Sequence, residues 1–147
     1  MNKKEIIQRL IDSNDKQAYE YVKKIIAESI KTNKYLDMIP EFASMLNDSN
    51  SYVRTRFFIL ICYQARWVSD KQIEEVYGQM KTLLNDPKPT VVRQCIKALH
   101  EVALYRPKMH KTIKKTLSKI DLSIYKDSMV PLIKKDIDEL LECINKS

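Results

Sequence analysis

The sequence predicts an all-α protein built from stacked helical pairs. Two stretches near its middle are close copies, LNDSNSYVR at residues 46–54 and LNDPKPTVVR at residues 84–93. Their aspartates, Asp48 and Asp86, are 38 residues apart, and the Val-Arg pairs that follow are 39 residues apart. A period in this range is typical of helical-pair repeats. No segment alternates apolar and polar residues as a half-buried strand would.

Two weaker copies extend the repeat towards both ends of the chain. Asp12 lies 36 residues before Asp48, and Asp127 lies 41 residues after Asp86. Terminal repeats are expected to diverge because their outer faces meet water. We therefore predict repeat turns near residues 12–15, 48–51, 86–89 and 127–130. A chain of 147 residues can bury one core, so we expect a single repeat domain over residues 1–147.

About seven to eight helices are predicted between these turns. In chain order they cover residues 2–12, 15–30, 33–47, 51–67, 70–85, 89–104, 108–119 and 128–145. The first is a short amphipathic leader. The second carries an apolar stripe at helical spacing, formed by Ala18, Val22, Ile25, Ile26 and Ser29. Pro40 should bend the third helix or mark its start, because proline has no N–H to donate.

The later helices follow from the same kinds of signal. The fourth and sixth begin just after the two central turns. Ser69 and Gln72 form a capping box that starts the fifth helix near residue 70. Its apolar stripe consists of Ile73, Val76, Tyr77, Met80, Leu83 and Leu84. The seventh helix directs Met109, Ile113, Leu117 and Ile120 to the core. The eighth repeats the apolar spacing of the sixth at Ile133, Ile137 and Leu140.

The repeated pattern begins with an apolar helix that contains a proline. A Leu-x-Asp turn follows, and a Val-Arg pair then opens a second apolar helix. This pattern resembles the HEAT repeat. The matching positions are Pro40, Leu46, Asp48, Val53 and Arg54, then Leu84, Asp86, Val92 and Arg93. The outer copies depart from the pattern, with Gln17-Ala18 in the first and Lys134 in the last. The resemblance implies a right-handed α-α superhelix, a short HEAT-like solenoid of the armadillo type.

A narrower resemblance rests on residues 51–56 and 121–129. These segments are similar to short bacterial HEAT proteins labelled SufBD-like, a label that implies a link to iron–sulfur assembly. No motif in the sequence itself supports that link. The general HEAT resemblance also implies that Asp48, Arg54, Asp86 and Arg93 form a structural ladder between neighbouring repeats. The same arginines could instead contact an acidic ligand.

Composition argues against an enzyme. Phosphate-binding loops and nucleophile elbows need several glycines, and Gly78 is the only one. His100 and His110 lack the ligand spacing of a metal site. The cysteines, Cys62, Cys95 and Cys143, are scattered, and we expect each to be a buried, reduced thiol. The acidic groups Glu74-Glu75 and Asp136, Asp138 and Glu139 are interpreted as solvated helix faces. We expect no cofactor and no metal.

The N-terminal residues and the hydropathy favour a soluble, cytoplasmic protein. No run of eighteen apolar residues is present, and residues 1–5 lead into an amphipathic helix rather than a signal sequence. We therefore expect no membrane association. The sequence does not determine the oligomeric state.

Residues 102–120 hold six basic groups and no acid, although the whole chain carries a net charge of only +7. We call the lysines of this stretch the basic face: Lys108, Lys111, Lys114, Lys115 and Lys119. Three of them recur every fourth residue, so they form one row on a helix. Like charges at this spacing repel, so a nucleic acid or an acidic protein could compensate them. A solubilising solvent face is the plainer interpretation.

The second candidate site is a partner groove rich in arginine and aromatic residues, the types enriched at binding hot spots. Its members are Arg56, Tyr63, Arg66, Trp67, Tyr105 and Arg106. The HEAT resemblance places second helices on the concave side, where partners bind. Trp67 could instead simply pack under the following loop.

Two functions remain open at this point. The first is a non-enzymatic scaffold that binds a protein partner in a concave groove. The other is nucleic-acid binding through residues 106–119, similar to the HEAT-like DNA glycosylases. Those enzymes need a catalytic carboxylate beside groove aromatics. Asp70 is the acid nearest Trp67, but it belongs to the capping box.

Overall fold

The computed structural model describes residues 1–147 and contains helices and turns but no β-strand. The α-helices are α1 (Lys3–Leu10), α2 (Asp15–Lys31), α3 (Ile39–Ala43), α4 (Ser51–Tyr63), α5 (Asp70–Met80), α6 (Pro89–Tyr105), α7 (His110–Ser118) and α8 (Val130–Asn145). Short 3-10 turns lie at Leu36–Met38, Lys81–Asn85, Pro107–Met109 and Leu122–Ile124. The all-α prediction is confirmed.

The helices stack in two layers. In the second layer, α4 packs between α2 and α6, and α6 packs between α4 and α8. The first layer contains α1, α3, α5 and α7, in which α3 contacts α5 and α7 contacts the 3-10 turn that follows α5. Each first-layer helix is followed in sequence by its second-layer neighbour. The result is a short α-α solenoid.

The repeat turns share one local hydrogen bond. The carboxylates of Asp12, Asp48 and Asp86 each accept the backbone N–H two residues further on, at 2.7, 3.0 and 3.0 Å. This short-range bond is a property of aspartate that favours turns. In the last repeat Asp121 makes it instead, with the N–H of Ser123 at 3.0 Å. This bond opens the extra 3-10 turn at Leu122–Ile124, whereas Asp127 lies three residues before α8, as Asp48 and Asp86 lie three residues before α4 and α6.

Helix starts agree with the capping signals in the sequence. Ser69 and Gln72 form the predicted capping box at the start of α5. Asn14 and Asn50 cap α2 and α4 with their side-chain oxygens. Pro40 lies in the first turn of α3, so it marks the start of this helix rather than bending it. The helix predicted over residues 33–47 is therefore much shorter, since only 39–43 are α-helical.

The helix predicted over residues 51–67 ends at Tyr63. Beyond it the backbone tightens, with the N–H of Gln64 donating to the carbonyl of Ile61 at 2.9 Å. The side chain of Gln64 turns inward, where its amide donates to the buried Ser29 hydroxyl at 2.9 Å. Trp67 consequently lies in a turn and not on α4.

One hydrophobic core runs from Ile6 to Ile144 and encloses most sides of α4. Cys62 and Cys95 are buried in it, as expected. Cys143 is exposed, contrary to expectation, because it lies beside the stripe that α8 buries rather than within it. No helix combines the length and the apolar character needed to span a membrane.

Candidate interaction surfaces

Arg54 and Asp86 form a bidentate pair between adjacent repeats. Nε of Arg54 donates to one carboxylate oxygen at 3.0 Å, and a terminal nitrogen donates to the other at 3.1 Å. Another nitrogen of Arg54 donates to the carbonyl of Asp48 at 3.0 Å. The side chains are only 14% and 6% exposed. Arg54 therefore joins the turn of its own repeat to the turn of the next.

Arg93 occupies the matching position one repeat later but has a different kind of partner. Its Nε donates to Asp136 at 2.7 Å. Asp136 lies in the middle of α8 and is 3% exposed, so its predicted place on a solvated face is wrong. The first repeat has no arginine to pair with Asp48, since Ala18 stands at the arginine position there. Of the four proposed ladder residues, only Arg54 and Asp86 pair with each other.

Arg56 was expected in the partner groove, but it is a buried residue. It is 5% exposed, and its guanidinium donates to the carbonyl of Leu10 at 2.9 Å and to Asp15 at 2.6 Å. These bonds connect α4 to the last residue of α1 and to the first residue of α2. Arg56 is therefore unavailable to a partner, because the fold already uses its guanidinium.

Trp67 and Arg66 fasten the end of α2 to the neighbouring helices. The indole N–H of Trp67 donates to the carbonyl of Ser29 at 2.7 Å. Arg66 donates to Glu101 at 3.1 Å, and its guanidinium lies 4.4 Å from the ring centre of Tyr105. Arg66 and Tyr105 thus come together across two repeats, as their spacing suggested. However, the guanidinium of Arg66 and the indole N–H of Trp67 both form hydrogen bonds within the chain.

Arg106 and the neighbouring Lys108 face Asp70 rather than a groove. Their side-chain nitrogens lie 3.6 and 3.7 Å from its carboxylate oxygens. Asp70 is thus an ion-paired residue in the first turn of α5, which does not suit the catalytic carboxylate of a glycosylase. His110 contacts the carbonyl of Ala103 at 2.7 Å. No three His, Cys, Asp or Glu side chains gather as a metal site would require.

The row Lys111, Lys115 and Lys119 lies on the side of α7 that faces α5. Lys81, at the end of α5, lies opposite and joins the row, which sequence spacing could not reveal. We call the open cleft between these four lysines the lysine groove; its volume is about 670 Å³. Lys114 is exposed but lies outside it.

An aromatic patch lies on the solvent-facing side of the second layer, and sequence reasoning had identified only its member Tyr63. We call it the tyrosine surface, and it consists of Tyr19 of α2 with Tyr52, Ile59 and Tyr63 of α4. Tyr52 is 61% exposed and Tyr19 is 53% exposed, and a cleft of about 330 Å³ opens between their helices. Partial burial, and then the charge of Glu101, raise the pKa of Tyr63. Spacings of seven and four along α4 were the available signal.

Stacked helical pairs with paired repeat turns define a HEAT-type helical-repeat protein. The family model described as Cnd1, non-SMC mitotic condensation complex subunit 1, matches residues 21–144. This match spans most of the chain, so the chain belongs to that family. No curated protein and no solved structure matched the chain significantly.

The family match agrees with the general HEAT resemblance, because the Cnd1 family is itself of the HEAT-type helical class. It lends no support to the narrower SufBD-like resemblance or to the bacterial origin which that resemblance implied. A helical scaffold that takes part in interactions fits both the family and the fold.

Proposed function

We propose that the protein is a non-catalytic scaffold that binds a protein partner through the tyrosine surface. Solenoids expose long faces on which partners dock. The Cnd1 family is described as a subunit of a condensation complex, which favours a role in assembly. The observation that carries the proposal is the exposure of Tyr52 and Tyr19 on one face of the second layer.

The tyrosine surface has the composition of a binding hot spot. α4 is enclosed on most sides, and its accessible stripe consists of Tyr52, Ile59 and Tyr63. Clusters of exposed aromatic and apolar side chains commonly mark interaction sites, and tyrosine is enriched among the residues that dominate binding energy. Arg66, stacked on Tyr105, lies near the Tyr63 end and extends the surface towards α6. Of the residues predicted from the sequence for the partner groove, Tyr63, Arg66 and Tyr105 therefore belong to the proposed binding surface.

Affinity capture from a native extract, followed by mass spectrometry, tests the proposal. The wild-type protein should retain a partner that Tyr52→Ala loses, with affinity reduced about fivefold or more, as for a hot-spot truncation worth about 1 kcal/mol. Ile124→Ala is the matched control, since Ile124 is 54% exposed but lies far from this surface in the turn before α8. Equal binding by the wild type and Tyr52→Ala would remove the proposed role of the surface.

A second candidate function is nucleic-acid binding through the basic face. It is favoured by the exposure of all five lysines, only one of which, Lys108, lies within ion-pair distance of an acid. Mobility shifts on duplex and single-stranded DNA at two salt concentrations test it. If Lys111, Lys115 and Lys119 contact phosphates, the triple glutamine variant should lower the slope of log affinity against log salt by about 2.7 units on duplex. An unchanged slope would exclude this candidate.

A further inference from the structure

The lysine groove is a recess between two first-layer helices. The Tyr77 hydroxyl donates to that of Thr116 at 2.8 Å, and the N–H of Asp121 donates to the side chain of Asn85 at 3.2 Å. These two bonds set α5 and its following 3-10 turn alongside α7 in parallel. Glu74 therefore lies at the Lys111 end of the groove, and Asn85 lies at the Lys119 end.

The groove carries an uncompensated positive charge. Four lysines and one acid, Glu74, line it, which gives a formal charge of +3. None of these four lysines forms an ion pair, whereas Lys3, Lys23, Lys34 and Lys146 all do so elsewhere on the surface. Like charges spaced four residues apart on a helix repel each other. A bound anionic group would relieve this repulsion.

Gly78 supplies a second, independent indication of a ligand. It is the only glycine in the chain, it lies inside α5, and it lines the groove. A β-carbon at this position would meet nothing within 4 Å, so packing inside the protein does not require glycine. In the interior of a helix, glycine is less stable than alanine by about 1 kcal/mol. Its other use is to let a second backbone approach closely, and the groove is where such a backbone would lie.

We propose that the lysine groove binds an extended acidic peptide segment of a partner protein. The inference rests on the scaffold function proposed above but concerns a different surface. Lys111 to Lys119 span about 12 Å of helix at 1.5 Å per residue. An extended chain covers that length in about four residues. The segment places carboxylates against Lys81, Lys115 and Lys119 and bears a neutral or basic residue opposite Glu74.

The lining of the groove favours a peptide over a nucleic acid. Single-stranded nucleic acids bind where lysines alternate with aromatic rings that stack on bases. The only aromatic residue here is Tyr77, which is 2% exposed, so its ring offers no stacking surface. A phosphate backbone also repeats its charge at every unit and would meet Glu74. A peptide can change its charge from one residue to the next and so avoid that repulsion.

Fluorescence anisotropy with a labelled peptide of about eight residues, in which Asp and Glu alternate with Ser, tests the proposal. Its amide counterpart with Asn and Gln is the uncharged probe, and single-stranded and duplex DNA are measured in parallel at low and moderate salt. Lys81→Gln and Lys115→Gln act from opposite walls, and each should weaken acidic-peptide binding about threefold, with about tenfold for the double variant. Lys114→Gln is the matched control and should leave affinity unchanged.

Gly78→Ala separates a ligand role from a structural one. Alanine should raise Tm by about 2–4 °C through helix propensity. The same variant should weaken acidic-peptide binding, because the new methyl group occupies the approach path. Glu74→Gln should strengthen binding of a uniformly acidic probe. A merely structural glycine would change stability and leave binding untouched.

Several outcomes would overturn the acidic-peptide site. They are no binding of the acidic probe, an equal effect of Lys114→Gln and Lys115→Gln, or tighter binding of DNA than of the peptide at the same salt. Tyr52→Ala should leave peptide binding intact. A failure at the groove is thereby distinguished from a failure of the tyrosine surface.

Discussion

Arg54 and Asp86, 32 residues apart in sequence, share two hydrogen bonds of 3.0 and 3.1 Å and so hold two neighbouring repeat turns in one register. Asp86 also accepts the N–H of Lys88, and its carbonyl accepts the hydroxyl of Tyr125 at 2.6 Å. One turn therefore connects α4, α6 and the segment before α8. Loss of this pair should affect the stacking of three repeats.

Arg54→Ala should lower the free energy of unfolding by about 2–4 kcal/mol, because it leaves a buried carboxylate without its cation. Urea titration monitored by circular dichroism measures the loss. Lys115→Ala, at an exposed site on α7, should stay within about ±0.5 kcal/mol of the wild type. Equal midpoints for Arg54→Ala and Lys115→Ala would contradict a stabilising role for the pair.

The second arginine pair should respond asymmetrically to mutation. Arg93 is 25% exposed, whereas Asp136 is 3% exposed. If Asp136 is removed, the guanidinium of Arg93 can be hydrated. If Arg93 is removed, the buried carboxylate of Asp136 has neither a cation nor water as a partner. Arg93→Ala should therefore cost about 3 kcal/mol and Asp136→Ala nearer 1 kcal/mol. Denaturant midpoints of the two variants at neutral pH compare them directly, and a larger loss for Asp136→Ala would reverse the argument.

These two pairs show what the sequence could and could not predict. The repeat period and the Leu-x-Asp and Val-Arg motifs predicted the helices, and the HEAT resemblance implied the arginine–aspartate ladder. They did not predict that Arg93 uses Asp136, because this residue sits among Asp138 and Glu139 and looks like part of a solvated run. Its position three residues after Ile133 and four before Leu140, both buried, was the overlooked signal.

The sequence-based prediction of the partner groove was incomplete for a related reason. Residue type predicted Arg56 as a surface anchor and left Trp67 open between an anchor and loop packing, but residue type alone does not reveal what a side chain contacts on another helix. Arg56 meets the end of α1, and Trp67 meets the end of α2. Lys81 joined the lysine row for the same reason, since only packing brings α5 beside α7. Contacts between distant segments decide such roles, and a local pattern does not contain them.

Trp67→Phe should destabilise the protein by about 1–2 kcal/mol, because the carbonyl of Ser29 loses its hydrogen bond in a partly buried place. Thermal unfolding compares the variant with Tyr52→Phe, in which an exposed tyrosine loses its hydroxyl and little should change. A wild-type Tm for Trp67→Phe would show that the indole bond to α2 contributes nothing.

Alkaline pH should unfold the protein partly through Tyr77. Burial is the main cause that raises its pKa to about 12, from an ordinary value of 10.0. Because the folded pKa is raised, this contribution to stability is fully present below pH 10 and is lost as the pH rises towards 12. At 1.36 kcal/mol per unit, the loss attributable to Tyr77 is about 2–3 kcal/mol. Urea midpoints at pH 8, 10 and 11.5 measure it.

Tyr77→Phe isolates this contribution from that of the other tyrosines. At pH 8 the variant should be slightly less stable, by about 1 kcal/mol, because the hydrogen bond to Thr116 is lost. Between pH 10 and 11.5 it should lose less stability than the wild type, since no buried phenol remains to ionise at this site. Tyr52→Phe, at an exposed ring, should follow the wild-type slope. If stability fell equally with pH in Tyr77→Phe and the wild type, the pKa of Tyr77 would not differ between the folded and unfolded states, and this argument would be wrong.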